Sequence, residues 1–327
     1  MFCCADKNNI MSSIPYVKLS NGVKQPKVGL GTFMLTDKSV VKNAVFTALD
    51  NGYRLIDTAT MYDNEEQLGE VLDDYFATKK LRRSEVFITS KLLYYHMTPE
   101  WTEKMIKESL KKLKTAYLDM YMIHLPFSFK CDKAGQPQLK NKKPIHDTTP
   151  IIDTWRVLEK YYKTGVFRAI GIANFNKSQL QYIWNEATVK PHCLQVESHI
   201  FWPNREIIDY AKCLGLTVTT YGNLGSQVQP EIKLMDVDVV RKLAEKYRKT
   251  AAQILLIHQI ELGYCIIPKS QNPTRIKENI NGIDFELSPG DVKKLDKIKD
   301  RIKFYRFEDG IGHPEYPWPL MQVQSNL

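Results

Sequence analysis

Four residues in this sequence could carry chemistry together. Asp57 ends the apolar run 53–57, Lys91 ends 86–91, His124 ends 118–124, and Tyr62 follows Asp57 across a short connection. An acid, an ammonium, a phenol and an imidazole brought together do one thing well: they hand a proton to a carbonyl oxygen as negative charge develops there. Tyrosine has an unperturbed pKa of about 10 and alone is a poor acid at neutral pH, but an adjacent ammonium favours the phenolate and moves that value down. Lys91 supplies the charge, Asp57 is the counter-ion that keeps a desolvated Lys91 protonated, and His124 donates the hydrogen bond that positions the oxygen. A single Asp, His or Lys at a strand end is ordinarily a structural group or a solvated charge. Here three of them recur one per repeating unit, which predicts equivalent heights on neighbouring strands.

The elements that must position them form a repeating pattern. An Asn21-Gly22 turn between short alternating runs predicts an N-terminal β-hairpin. Then 28–32 reads as a strand and 39–51 as a helix with Val40, Val41, Ala44, Val45 and Ala48 on one face, closed by Gly52. The unit recurs: strands at 53–57, 86–91, 118–124, 169–174, 193–197, 217–221 and 264–268, each followed by helical periodicity, with Thr98 and Pro99 opening one helix. Runs such as 86–89 and 120–123 are apolar on both parities, as parallel strands covered by crossover helices require. Eight such units predict an α/β fold of the (β/α)8 TIM-barrel type, one domain over 15–327 behind a flexible tail at 1–14. Barrel active sites lie at the C-terminal ends of the strands, where the polar residues above fall. The stretch 126–149, with Lys130, Lys133, Lys140, Lys142 and Lys143, reads as a structureless loop, either at the active site or simply solvated and basic. A last helix is expected to run to about Asp300, and 301–327 is a tail rich in aromatics and prolines, placed over the active-site region.

Composition removes other classes. With 327 residues, 43% hydrophobic and 25% charged, the chain is neither disordered nor fibrous. Its net charge of +9 is dispersed and accompanied by no recognised motif, so no nucleic-acid partner is expected. The 6 cysteines lack metal or disulfide-framework spacing, and His96, His146, His192, His199, His258 and His313 show no ligand spacing, so no metal is expected. No run reaches the roughly 20 apolar residues of a membrane span, and the start lacks a signal peptide. Cys3 and Cys4 could carry acyl chains, but no basic run or amphipathic helix adjoins them. The expectation is a soluble, cytoplasmic protein with a small-molecule substrate and no membrane partner.

Proton donation is half of a reduction, and the hydride must come from a cofactor. Gly29-Leu30-Gly31 begins like a dinucleotide fingerprint, yet Met34 stands where the third glycine belongs. A better phosphate site is Ile267-Pro268-Lys269-Ser270 after the eighth strand, with Arg275 in the first turn of a short helix. Lys269, Ser270 and Arg275 suit a 2′-phosphate, which favours NADPH over NADH.

Taken together, these segments resemble a known family. Arg54-Leu55-Ile56-Asp57-Thr58-Ala59 with Tyr62, Asn64 and Glu65 is similar to the first signature of the aldo-keto reductases. Leu118-Asp119-Met120-Tyr121-Met122-Ile123-His124, Gly171-Ile172-Ala173-Asn174-Phe175, and Ile267 to Ser270 continuing to Arg275-Ile276-Lys277-Glu278-Asn279 resemble the others, in order, from about Val17 to Trp318. The resemblance implies a monomeric NADPH/NADP+-dependent carbonyl reductase with Tyr62 as proton donor, Asp57 and Lys91 tuning it and His124 orienting the substrate. It further implies a cofactor site in which Tyr221 stacks on the nicotinamide and Asn174 and Gln195 hold its carboxamide. Leu224 and Ser226 would follow the pyrophosphate, Lys269, Ser270 and Arg275 the 2′-phosphate, and Glu278 and Asn279 the adenine; Thr32 and Asp57 would also belong to the cofactor site. Phe33, Leu93 and Leu125 join Tyr62 and His124 around the substrate, the three standing where many relatives carry tryptophan, so a wider pocket with less aromatic stacking is expected. Ala173 replaces a serine beside Asn174, removing one hydrogen bond to the carboxamide, and Gly222-Asn223 replaces a Ser-Pro pair, which would loosen the loop over the pyrophosphate. Two alternatives share these residues: Lys91 as a Schiff-base nucleophile, and a non-catalytic NADPH-binding regulatory or structural member of the same superfamily.

Overall fold

The computed structural model describes residues 15–318, so both outermost tails, with Cys3 and Cys4, lie outside the described residues. The hairpin pairs β1 (Tyr16–Lys18) with β2 (Lys24–Pro26), and Gly22 takes the left-handed φ of 90° that the turn demands. Parallel strands β3 (Leu30–Gly31), β4 (Leu55–Asp57), β5 (Phe87–Leu92) and β6 (Met120–Ile123) alternate with helices α1 (Lys38–Asp50), α2 (Glu65–Ala77) and α3 (Pro99–Lys112). The segment 126–149 is not structureless. It carries a short antiparallel pair, β7 (Leu139–Lys140) with β8 (Lys143–Pro144), because Asn141 and Lys142 both take positive φ, 53° and 63°, and close a two-residue turn.

Beyond it come α4 (Ile151–Lys163), β9 (Ile170–Ala173), α5 (Lys177–Glu186), β10 (Cys193–Glu197), α6 (Arg205–Cys213) and β11 (Thr217–Tyr221). Helices α7 (Asp238–Tyr247) and α8 (Ala251–Glu261), strand β12 (Cys265–Ile266), then α9 (Pro273–Asn281) and α10 (Pro289–Asp296) follow. The predicted N-cap Thr98 accepts from Trp101 N, with Pro99 at the first helical position. Helix α10 stops at Asp296, short of the predicted end, as the chain departs to let Ile302 N reach Phe201 O at 3.0 Å.

The 8-stranded sheet runs β3-β4-β5-β6-β9-β10-β11-β12. It closes on itself: Val28 bridges Ile266 and Gly31 bridges Lys269, both parallel, so the expected barrel forms. Strand parity then decides which side chains meet. Leu55, Phe87, Met120, Met122, Ala169 and Cys193 pack inside the barrel, whose floor Leu19 of the hairpin helps to seal. Ile56, Ile88, Tyr121 and Ile123 face the helices. Asp57, Lys91 and His124 share the inward parity, two residues beyond Leu55, Thr89 and Met122. Their heights in the ladder are not equal, contrary to what the spacing suggested. Asp57 pairs with Thr89 and Lys91 with Met122, so each catalytic candidate lies two residues beyond the partner of the one before. Barrel strands tilt against the axis, and this stagger is how they do so. Among the described residues no helix is long and apolar enough to cross a membrane.

Candidate active site

The sequence brings Asp57 and Lys91 into one buried ion pair at the open end of the barrel. Lys91 Nζ donates to Asp57 Oδ1 at 2.5 Å, to Thr58 O at 3.0 Å and to Tyr62 OH at 3.3 Å. Tyr62 ends a short 3-10 turn, Thr60–Tyr62, after which Asp63 takes a left-handed φ of 50°. Beneath that turn a polar network holds it: Thr60 Oγ1 meets Ser109 Oγ at 3.2 Å, and Ser109 and Ser90 both donate to buried Glu65. His124 packs its ring 5.8 Å from that of Tyr62. Its carbonyl is fixed by Asn174 Nδ2 at 2.9 Å, and Tyr221 OH donates to Asn174 Oδ1 at 2.7 Å.

Burial opposes charge on each of these groups. For Tyr62, burial outweighs the pull of Lys91, with Asp57 pushing the same way as burial, so the phenol sits above its ordinary value rather than below. This corrects the expectation of a depressed pKa: the ammonium recovers only part of what desolvation costs the phenolate. Burial disfavours the Lys91 ammonium too, yet Asp57 and Tyr62 together hold its pKa above the usual lysine value. Burial and the nearby Lys91 keep His124 well below its ordinary value, so it is a neutral imidazole at pH 7. Its Nδ1 is buried with no partner among the described residues. An orphaned N–H is rarer than an orphaned acceptor, so we assign the proton to Nε2.

From this centre a cleft of about 880 Å³ runs to the loops after β11 and β12. Tyr62, His124 and Phe33 line one end, and Arg275, Glu278 and Asn279 line the other, with Thr32, Asp57, Gln195, Tyr221, Leu224, Ser226, Lys269 and Ser270 along its walls. Lys91 lies beneath the floor, fully buried. Asn174 instead borders a neighbouring cavity of about 500 Å³, Leu125 is buried in the core, and half-buried Leu93 lines neither space. Gln195 donates to Asp57 Oδ2 at 2.8 Å. The loop after β11 is tied rather than loose, because Asn223 Nδ2 donates to Ser198 O at 3.1 Å and Thr220 Oγ1 at 2.9 Å. The sequence did not single out Met61 at the substrate end, or Gln227, whose Oε1 accepts from Lys269 Nζ at 3.0 Å.

The residues fit an elongated anionic cofactor. Lys269 is partly buried, which lowers its pKa, and has no carboxylate partner among the described residues; nor does Arg275. Lys269 lies in the loop after β12 and Arg275 in the first turn of α9, whose N-cap Asn272 accepts from Arg275 N at 3.1 Å. Gly31 lets the chain pass close: a Cβ there would lie 2.7 Å from Ile267 O.

Residues 27–300 match the model of the Aldo/keto reductase family. The chain belongs to the aldo-keto reductases. Bovine (Bos taurus) dihydrodiol dehydrogenase 3 is 37% identical over 312 residues, 92% of this chain and 97% of that protein. Aldo-keto reductase family 1 member A1 of Sus scrofa is 37% identical over 319 residues, again 92% of this chain and 97% of its own length. Among solved structures, the aldose reductase from Schistosoma japonicum superposes with a TM-score of 0.87 at 36% identity, covering 93% of this chain and 98% of that one. Family and relatives mark this aldo-keto reductase as an oxidoreductase.

Proposed function

We propose that this protein reduces an aldehyde or ketone to an alcohol with NADPH, using Tyr62 as the general acid. The observation that carries the reading is the contact of Tyr62 OH with the paired Lys91 ammonium at 3.3 Å, at the opposite end of one cleft from Arg275. NADPH, when bound, supplies hydride to the carbonyl carbon. Neutral His124 donates its N–H to the carbonyl oxygen and orients it. Tyr62 then gives its proton to that oxygen as it becomes an alkoxide, a stronger base than phenolate, so a phenol with a raised pKa still donates downhill. Lys91 offsets the phenolate left behind, and Asp57 keeps Lys91 charged. Lys269, Ser270 and Arg275 bind the 2′-phosphate, which supports NADPH over NADH. Tyr62→Phe keeps the ring and removes the proton. It should lower turnover by at least about a hundredfold while NADPH binding, followed by fluorescence quenching, stays near normal. A variant with full turnover would overturn the assignment.

A further inference from the structure

Glu197 ends β10 with its side chain wholly buried, and both oxygens are engaged. Oε2 accepts from Lys303 Nζ at 2.6 Å and from Tyr305 N at 3.2 Å. Oε1 accepts from Phe304 N at 2.6 Å and meets His199 Nε2 at 3.0 Å. Three consecutive residues of the C-terminal segment therefore converge on one carboxylate. Burial pushes the Glu197 carboxyl up, but Lys303 and His199 more than offset this and hold it at about 2, so it is ionised. The segment is fastened again farther on, where Asp309 Oδ2 accepts from Tyr94 OH at 2.5 Å and Tyr95 OH at 3.1 Å.

At the first fastening and just beyond it, two rings enter the cleft. Tyr305 meets Tyr221 edge-on at 5.3 Å and Phe33 at 6.1 Å. Phe307 is held at a left-handed φ of 50°, uncommon for a bulky residue, and faces His124 at 6.3 Å. Gly222, at φ 73°, passes beside both partners: a Cβ there would lie 3.4 Å from Tyr305 Cε2 and 3.5 Å from Glu197 Cγ. Glu197 itself does not line the cleft.

We propose that Glu197 is a positioning residue: by gripping residues 303–305 it sets Tyr305 as a wall of the substrate end, so that substrate affinity at this site depends on a buried ion pair that never touches the substrate. The kinetic half of the test rests on the reductase reading, and the structural half does not. Glu197→Gln keeps the side-chain shape but exchanges one acceptor for a donor and leaves Lys303 without its counter-ion. Hydrogen exchange of a peptide spanning 303–307 should quicken at least about tenfold while peptides from β5 and β6 are unchanged. KM for carbonyl substrates should rise about tenfold, as expected for a misplaced aromatic wall, with kcat and NADPH affinity within about threefold. Should the single variant fold poorly, Glu197→Gln with Lys303→Met removes the orphaned ammonium; it should fold and still show the fast exchange and high KM. Tyr305→Leu should raise KM alike, and Glu197→Gln should add nothing in that background. Unchanged exchange at 303–307 would overturn the proposal, as would a further rise of KM on top of Tyr305→Leu. If the wild type reduces no carbonyl compound, the reductase reading falls and the exchange measurement alone decides the role of Glu197.

Discussion

Replacing Lys91 with Met removes a single cation from a fully buried set and separates its two jobs. The ammonium lies 3.3 Å from the Tyr62 oxygen. With an effective dielectric of about 20, unit charges at that distance attract by about 5 kcal/mol. The phenolate is only partly formed when the proton is in flight. Half of that energy, about 2.5 kcal/mol, corresponds to a loss of about 70-fold in kcat, and the whole to several thousandfold, roughly. Lys91 also neutralises Asp57, which is 2% exposed and, among the described residues, would keep only the amide of Gln195 as a side-chain partner. Breaking a buried pair from one side costs about 3–5 kcal/mol of stability. Lys91→Met should therefore be slow and unstable, whereas Lys91→Met with Asp57→Asn should recover most of the stability and none of the rate. NADPH absorbance at saturating substrate gives kcat, and urea unfolding gives stability. A folded Lys91→Met enzyme within about threefold of wild-type kcat, or a double variant that regains the rate, would refute the electrostatic role.

Other consequences are open to measurement. Arg275→Met should weaken NADPH binding by about tenfold to a hundredfold, the worth of a charge-assisted hydrogen bond, and leave NADH unaffected; equal loss for both would remove the 2′-phosphate assignment. Because burial and Lys91 hold His124 well below its ordinary value, kcat/KM for reduction should be flat across about pH 6 to 8, and a step centred near the usual histidine value of about 6.5 would contradict its neutrality. Stability to urea should fall as pH drops from about 7 to about 5: burial depresses His96, His124, His192, His199 and His313, so below about 6.5 the unfolded chain takes up protons that the folded chain refuses. Glu65, raised by burial, acts in the opposite sense nearer the carboxylate range, one group against five, so a constant urea midpoint would refute the claim. Gly69→Ala would place a Cβ 2.0 Å from Lys112 O and 2.8 Å from Leu113 Cα, both backbone, and should cost about 1–3 kcal/mol or more; a neutral result would mean that α2 and α3 part more easily than their packing implies.

Much of the barrel was legible because its determinants are local. Apolar strands, amphipathic helices, Thr98-Pro99 and Asn21-Gly22 each act within a few residues, and the strand predicted at 193–197 falls where β10 lies. The pair at β7 and β8 was missed because two lysine-flanked residues each carry no strand signal, and Asn141-Lys142 is not a usual turn pair. The inward parity of Asp57, Lys91 and His124 could be read from alternation, but their stagger could not, since register is set between strands rather than along them.

The site divides along the same line. Strand-end polar residues found Asp57, Lys91 and His124 because their types already named a proton transfer. The same rule applied to β10 yields Glu197, whose type is equally suited to chemistry. Apart from His199, two residues on, the partners of its side chain lie 106 to 108 residues farther on, where no spacing rule connects them. A carboxylate at the mouth of a barrel can face substrate or tie down the chain that forms the mouth, and only the donors around it distinguish the two. Around Asp57 one donor is an ammonium that also reaches a cleft-lining phenol, whereas around Glu197 the donors are the His199 ring, the Lys303 ammonium and two amides of consecutive residues. The first arrangement can pass a charge change to a reacting atom, and the second fastens the chain that forms the mouth, so on the proposed reading Glu197 belongs to the architecture of the pocket and Asp57 to its chemistry.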